Sequence, residues 1–516
     1  MNPLNSCDSA PGTAADLLKS LMEKKKELVK SGDVYKRAET KPFYNISDLN
    51  DFDIPDTWCW AKLSDVSLIQ EGAGIRKWQY RDNGIQILCV TNILDGEIDL
   101  LKKELYISEE EYLEKYKHLT LKKGDVVTAC SGGSWGKTAI FTSESTIMLN
   151  TSTLRLRFFG DIADNTYLYY ISKSRLFKQQ LESQLSGMQP NFGYAHYSRI
   201  MIPLPPLSEQ KKIVALLDDV LSRIDKAREN IKKNIENAKE LYENAVEQVV
   251  SGCGEQSSHL NHHNSSTETA ADLLKEIAKE REALIKAGKI KKSKPLLEIT
   301  EDEIPYEIPE NWEWVRLGDI CKSISDGDHQ PPPQTKSGIP FLVISNVSSG
   351  YLNLENTRYV SEEYFSKLSG DRVAEIGDVL FTVTGSYGIP IKVNQSIKFC
   401  FQRHIALIKG LIDLDFLYFV LKSPYIKSQC DNTATGTAQK TVGLHSLRNF
   451  LIPLPPLSEQ KKIVAELDAL EKQRSTLTEL YTKKLQALDE LRNSVLEKAF
   501  RGELTGNSTA QSVAAK

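Results

Sequence analysis

Residues 131–138, SGGSWGKT, are the stretch of this sequence that comes closest to a known chemical motif. A phosphate-binding loop has the pattern G-x-x-x-x-G-K-S/T after a strand, and its glycines let backbone N–H groups approach a nucleotide. Position 131 is serine, and the related stretch 384–390, TGSYGIP, contains no lysine. We therefore predict a glycine-rich turn that exposes Lys137, and not a nucleotide site.

The sequence gives little support for a metal site or for a methyltransferase active site. Cys253, His259, His262 and His263 resemble metal ligands, but they lie in a polar stretch without zinc spacing and have no counterpart elsewhere. A methyltransferase needs an Asn/Asp-Pro-Pro-Phe/Tyr tetrapeptide, whereas residues 331–333 are three prolines between two glutamines. We therefore predict no catalytic residue, no metal and no cofactor on this chain.

The chain is an internal duplication. Residues 202–215, IPLPPLSEQKKIVA, recur identically at 452–465, which is an offset of 452 − 202 = 250. TAADLLK at 13 and 269, IP-x-x-W-x-W at 54 and 308, and GDV at 124 and 377 recur in the same order. A period this long indicates whole domains and not solenoid layers.

Each half contains elements that would carry such domains. After Pro205-Pro206, Ser208 is predicted to be the N-cap of a long helix. Apolar residues then follow the spacing of a coiled-coil seam, at 214, 217, 221, 224, 231, 238, 241, 245 and 249, and again at 464, 467, 470, 477, 480, 488, 491 and 495. About 40 residues make a rod of about 60 Å. Residues 14–30 and 270–286 predict shorter amphipathic helices.

The segments between these helices have diverged and predict mixed α/β domains. Short β-rich runs occupy 85–93, 125–130, 153–159, 339–347 and 378–384, between turns that contain Gly and Asp. Trp58, Trp60, Trp312 and Trp314 open the two domains and are expected to pack in the core.

Composition restricts the class of protein. With 516 residues, 40% hydrophobic and 26% charged, the chain is an ordinary globular sequence with more than one core. The net charge of −4 excludes a polybasic binder. The eight scattered cysteines and an N-terminus without an apolar signal segment favour the cytoplasm.

In combination, these features resemble the specificity (S) subunits of Type I restriction-modification systems, and the resemblance covers nearly the whole chain. It rests on the duplicated P-L-P-P-L-x-E-Q-x-x-I-V-x helix starts, the tryptophan and L-x-D approach to each variable domain (Trp60 to Asp65), the G-D-V turns and the closing LEKAFRGELT at 496. The implied fold is α+β, with two mixed α/β target-recognition domains separated by a pair of long antiparallel helices in a pseudo-two-fold repeat.

The resemblance implies a sequence-specific DNA-binding protein that is not an enzyme. Each domain would read one half of a bipartite, asymmetric target. Two modification (methyltransferase) subunits would methylate adenine with S-adenosylmethionine, and two restriction subunits would use ATP and Mg for translocation and cleavage. Reading two half-sites on one face of duplex DNA requires centres about 34 Å apart.

The predicted DNA contacts are cations and amides in diverged loops, because these groups reach phosphates and base edges. In the first half they are Arg76, Lys77, Gln79, Arg81, Lys137, Gln189 and Asn191. In the second half they are His329, Gln330, Lys336, Tyr387, Gln439 and Lys440.

These predictions divide the chain as follows: an N-terminal helical segment (1–40), a first target-recognition domain (41–205), a central long helix (206–252), a linker (253–268), a second helical segment (269–293), a second target-recognition domain (294–455), a C-terminal long helix (456–505) and a tail (506–516). Two rivals remain open at this point: a coiled-coil assembly scaffold with two protein-binding domains, and a single-chain nucleotide-dependent enzyme that uses residues 131–138.

Overall fold

A computed structural model describes residues 12–44, 52–160, 162–185, 190–252, 268–290, 292, 295–437 and 439–505. The predicted linker, the tail and the Cys253 and histidine group lie outside the described residues, apart from Glu268. The chain forms two compact units, one of residues 1–231 with 483–516 and one of residues 232–482. Among the described helices, none combines the length and the apolar character needed to cross a membrane.

The same strand arrangement occurs in both units. In the first unit, β1 (Cys59–Lys62) pairs with β9 (Met201–Leu204), a four-stranded antiparallel sheet has the order β2-β8-β5-β6, and a three-stranded sheet has the order β4-β3-β7. The strands of these two sheets are β2 (Ser67–Glu71), β3 (Ile85–Leu88), β4 (Tyr106–Ile107), β5 (Val126–Ala129), β6 (Thr138–Ile140), β7 (Ile147–Leu149) and β8 (Thr153–Phe158).

In the second unit, β10 (Glu313–Arg316) pairs with β18 (Leu451–Leu454), and the larger sheets have the orders β11-β17-β14-β15 and β13-β12-β16. Their strands are β11 (Cys321–Asp326), β12 (Ile339–Leu342), β13 (Arg358–Val360), β14 (Val379–Thr382), β15 (Pro390–Lys392), β16 (Cys400–Phe401) and β17 (Ile405–Gly410). The predicted β-rich runs are confirmed, although each strand is shorter than its run.

Helices complete the domains. The short helices are Leu63–Val66, Glu109–Glu111, Asn165–Lys173, Arg175–Glu182, Tyr194–Tyr197, Glu362–Ser366, Leu414–Lys422, Pro424–Thr433 and Leu444–Arg448. The predicted amphipathic helices are confirmed as Ala14–Ser31 and Ala270–Lys286, and Thr13 and Thr269 cap them through a bond from the backbone N–H three residues later. The TAADLLK repeat therefore encodes a helix start in each half.

The first long helix is Leu207–Ser251 and the second is Leu457–Phe500. Ser208 was predicted as an N-cap and this is wrong, because Ser208 is already the second residue of the helix. The carbonyl of Pro206 accepts the N–H groups of Glu209 at 2.9 Å and of Gln210 at 3.0 Å. Proline can precede a helix because the first-turn N–H groups have no intrahelical partner.

Within the first unit the two long helices run antiparallel. Asp225 pairs with Arg492, and Arg228 pairs with Asp489, so the residue number falls along one helix as it rises along the other. The predicted seam is buried only in part: Leu217 and Leu221 are in the core, whereas Leu241, Leu477, Leu480 and Leu491 are exposed. The apolar spacing extends beyond the helix surface that the domains cover.

The identical Ser-Glu-Gln of the two helix starts joins each long helix to its own domain. Trp58 Nε1 donates to Glu209 Oε2 at 2.9 Å, and Trp312 Nε1 donates to Glu459 Oε2 at 2.6 Å. The next residue, Gln210 or Gln460, is fully buried and accepts the N–H of Asp164 or Asp413 at 3.0 Å. The prediction of core tryptophans is thus confirmed for Trp58 and Trp312, whereas Trp60 and Trp314 are only half-buried.

Candidate nucleic-acid interface

In the first unit, one edge of the four-stranded sheet carries the described residues that were predicted to contact DNA. Glu71, the last residue of β2, is opposite Leu154, and Ala129, the last residue of β5, is opposite Thr153 at the start of β8. The loops that follow β2 and β5 therefore leave the sheet at the same edge. Arg76, Lys77 and Arg81 lie in the first loop and Lys137 in the second, all exposed.

The loop at 190–193 is bound to the loop after β5. Gly132 N–H donates to the carbonyl of Pro190 at 3.1 Å, Ser131 and Asn191 form a β-bridge, and the Trp135 ring lies 5.1 Å from that of Phe192. Folding thus brings Lys137 and Asn191 to neighbouring loops although 54 positions separate them (191 − 137 = 54). Gln189 lies outside the described residues.

The second unit repeats this arrangement with different side chains. Asp326 at the end of β11 is opposite Ala406, and Thr382 at the end of β14 is opposite Ile405. His329, Gln330 and Lys336 lie in the loop after β11, all exposed. The loop after β14 bears Tyr387, which is half-buried. A Thr384–Thr441 bridge and a 3.1 Å bond from Gly385 N–H to the Lys440 carbonyl join this loop to the 435–441 segment. That segment carries Gln439 and Lys440, both exposed.

Gln79 departs from the prediction, because it is only 5% exposed. Its Oε1 accepts the Arg76 N–H at 2.8 Å, and its Nε2 donates to Glu111 Oε1 at 2.7 Å. An amide that is bonded in this way is not presented to a base edge. Gln79 instead fixes the shape of the loop that carries Arg76 and Lys77.

The 131–138 loop is not a phosphate-binding loop. A P-loop leads into a helix whose N-terminal N–H groups hold the phosphates. Here Gly132–Ser134 is a single 3-10 turn, and Thr138–Ile140 is strand β6. The rival prediction of a nucleotide-dependent enzyme is therefore wrong for this motif. Lys137 remains exposed at the sheet edge.

Cys130, just before this loop, is not an activated nucleophile. Burial raises the pKa of its thiol to about 12, so the thiol stays protonated at neutral pH. Among the described residues no three His, Cys, Asp or Glu side chains are grouped so that they could hold a metal ion.

An aromatic residue occupies the same loop position in the two units, but its contacts differ. In the second unit the Tyr387 hydroxyl donates to Asp431 Oδ1 at 2.8 Å, which raises the pKa of Tyr387, and Lys427 lies 4.2 Å from the ring centre. The bond from Lys427 lowers the pKa of Asp431. In the first unit the position is Trp135, packed on Phe192.

Sequence reasoning missed several residues of these edges. Trp78 lies between Lys77 and Gln79 and is 73% exposed. In the second unit, Arg403 is exposed two residues before β17, beside His404, and burial together with the Arg403 charge lowers the pKa of His404. Arg403 comes two residues after the buried Phe401, and only the pairing of β17 with β11 and β14 places it at this edge.

A second missed feature is the extended segment at 35–43, which has Lys36, Arg37 and Lys41 exposed. The Arg37 guanidinium lies 4.1 Å above the Tyr194 ring, and the Tyr194 N–H bonds to the Glu71 carboxylate at the sheet edge. The segment therefore adds positive charge beside the interface of the first unit. A charge count over the whole chain conceals such local charge.

The chain belongs to the family described as Type I restriction modification DNA specificity domain, which matches residues 55–237 and 309–487. The two matches include both four-stranded sheets and both starts of the long helices. The family is thus matched once in each repeat, as the duplication predicts.

Individual relatives agree with this. The chain is 26% identical to the Type I restriction enzyme EcoAI specificity subunit of Escherichia coli, over 89% of this chain and 84% of the relative. It is 24% identical to the EcoBI specificity subunit of the same organism, over 89% and 88%. The chain has the same fold as a solved structure from work on the complex assembly and conformational transition of the type I R-M system. The TM-score is 0.62 and the sequence identity 20%, over 88% of this chain and all of that chain.

The chain is therefore a DNA specificity protein of the Type I restriction-modification class. Its family recognises DNA sequence, and its partners are DNA and the modification and restriction subunits of such systems. The sequence-based family assignment and the two-domain fold are confirmed.

Proposed function

We propose that the two sheet edges are the reading surfaces of this protein, and that each unit reads one half of a bipartite DNA target. The observation that carries the proposal is the position of the residues that were predicted to contact DNA. They lie in loops that are far apart in sequence, and these loops leave equivalent edges of two equivalent sheets.

The target is asymmetric, because equivalent loops carry unlike groups. The first unit presents Arg76, Lys77 and Arg81 where the second presents His329, Gln330 and Lys336. Arginine and lysine favour guanine O6 and N7, whereas glutamine pairs with adenine N6 and N7. Two unlike surfaces select two unlike half-sites.

The chain acts through partner subunits and performs no catalysis of its own. Two modification subunits methylate adenine with S-adenosylmethionine, and two restriction subunits use ATP and Mg. The exposed Leu241, Leu477 and Leu480 of the long helices offer apolar surface for the modification subunits. With a net charge of −4, the isolated chain binds DNA weakly, and partner subunits supply further phosphate contacts.

The test is methyl transfer by the complete complex to a library of random DNA, followed by sequencing of the methylated sites. The expected result is a split motif with two unlike halves. Replacing residues 41–200 with the corresponding segment of another specificity subunit should change one half and leave the other. Methylation without sequence preference would overturn the proposal and favour the rival interpretation, an assembly scaffold with two protein-binding domains.

A further inference from the structure

Trp78 is unlike the other five tryptophans of the chain. Trp58 and Trp312 are buried in the cores, and Trp60, Trp135 and Trp314 are half-buried against other aromatic rings. Trp78 is 73% exposed. Tryptophan is enriched at interfaces, because its large apolar surface gains from burial while its N–H can still find a hydrogen-bond partner.

The backbone that carries Trp78 is held in place on both sides. On one side, the buried amide of Gln79 accepts the Arg76 N–H and donates to Glu111. On the other side, Arg81 Nη1 donates to the carbonyls of Trp78 at 3.0 Å and Tyr80 at 2.9 Å, and the Arg81 N–H donates to the Tyr106 carbonyl at 2.9 Å. The indole is thus presented from a preorganised turn, and less conformational entropy is lost when it binds.

The surroundings of Trp78 indicate what covers it. Arg76, Lys77 and Arg81 lie within three positions, all exposed, and the loop leaves the same sheet edge as Lys137 and Asn191. A ligand that suits cations on either side of an apolar ring carries negative charges along its length and apolar groups between them. Duplex DNA has both, in its phosphates and in the base edges of its grooves, such as the thymine methyl group.

We propose that Trp78 contacts a nucleobase in the half-site that the first unit reads, while Arg76 and Lys77 bind the flanking phosphates. The proposal rests on the function proposed above and adds a specificity-determining residue to it. The equivalent loop of the second unit contains Pro331, Pro332 and Pro333 and no tryptophan, tyrosine or phenylalanine. The contact is therefore made in one half of the target only.

The first test compares Trp78→Ala and Trp78→Phe in the complete complex. Trp78→Ala should weaken binding to the native target by about 10- to 100-fold, the usual cost of losing the specific contacts to one base pair. It should also relax sequence preference at one or two positions of one half-site. Trp78→Phe, which keeps a ring, should retain most of the preference.

Leu101→Ala is the matched control, because Leu101 is an exposed apolar residue of the same unit, 81% exposed, in the loop between β3 and β4. It should leave both affinity and motif unchanged. The inference is overturned if Trp78→Ala keeps the native motif and affinity, if it weakens all DNA sequences equally, or if Leu101→Ala has the same effect. A native complex without any motif would instead defeat the proposed function.

Quenching of tryptophan fluorescence by iodide provides an independent readout. Free protein should have a quenchable fraction that Trp78→Phe removes, and native target DNA should protect this fraction in the complete complex. Protection by the modification subunits without DNA would assign Trp78 to a protein interface and overturn the proposal.

Discussion

Gly502, just after the second long helix, packs against Trp58 so closely that a Cβ on Gly502 would lie 3.4 Å from the indole Cζ2 and would overlap the Pro55 ring. Gly502 has φ +74°. Gly252, just after the first long helix, has the same relationship to Trp312 and Pro309 in the second unit. In each unit, therefore, the first residues of the domain pack against the end of a long helix that belongs to the other repeat.

Gly502→Ala should destabilise the first unit strongly, because the added methyl group meets both an unfavourable backbone conformation and an occupied space. We expect the free energy of unfolding to fall by about 3 kcal/mol. Gly288→Ala is the matched control, since Gly288 has φ +67° and open space around its Cβ, and should cost about 1 kcal/mol. Calorimetric unfolding measures both, and equal losses would contradict the role of close packing.

Glu209→Ala should also destabilise the first unit. It leaves the buried Trp58 N–H without this acceptor and removes the 2.6 Å bond from Thr505 Oγ1. We expect a loss of about 2 kcal/mol, and a similar loss for Glu459→Ala in the second unit. A double-mutant cycle with Trp58→Phe measures the coupling between the two side chains.

The exposed Glu229, on the same helix, provides the control for this prediction. Glu229→Ala should change the free energy of unfolding by less than about 0.5 kcal/mol. Additive effects of Glu209→Ala and Trp58→Phe would show that the bond contributes nothing to stability.

The stability of the second unit should fall in acid because of the Glu303–Arg316 pair. Arg316 is 4% exposed and donates to both carboxylate oxygens of Glu303, at 2.9 and 2.7 Å. These bonds, with the N–H of Thr300, lower the pKa of Glu303 below its ordinary value of 4.5. A lowered carboxyl pKa stabilises the folded state above the unfolded pKa, and this stabilisation is lost as the pH falls through the folded pKa.

Melting temperatures between pH 7 and pH 3 test this prediction. Glu303→Gln should reduce stability at neutral pH and make the curve flatter below about pH 4.5. The nearby exposed Glu301 serves as the comparison. If Glu301→Gln flattens the curve to the same extent, the pair with Arg316 is not the cause.

Lys137→Ala and Lys440→Ala should each weaken DNA binding by the complex for all sequences. Each should also reduce the slope of log K against log salt by about one, as expected when one phosphate contact is lost. Lys123→Ala is the control, because Lys123 precedes β5 at the opposite edge of the sheet and pairs with Glu144. Lys137→Ala should leave ATP hydrolysis by the complex intact, and loss of hydrolysis would restore the nucleotide interpretation.

The amino-acid sequence alone established the duplication, the two long helices and the β-rich domains, and its resemblance to a known family indicated the class of protein. The duplication, the helices and the domains depend on local or periodic patterns: identical Ser-Glu-Gln helix starts, TAADLLK caps, apolar spacing and strand runs between glycines. Such patterns act through neighbouring backbone groups and the direction of side chains along one element. They can be read without knowledge of the partner element.

Only the tertiary structure decided which candidate residues share a surface. The Lys137 and Asn191 loops come together because Ser131 bridges to Asn191 and the Phe192 N–H donates to the Cys130 carbonyl at 2.9 Å, contacts that no local pattern specifies. Burial also separated Gln79 from Trp78, adjacent residues with opposite fates. The polarity of Gln79 predicted an exposed amide, and no pattern in the sequence singled out Trp78. The fold buried the amide, because the hydrogen bonds of this turn use it, and left the neighbouring indole in solvent.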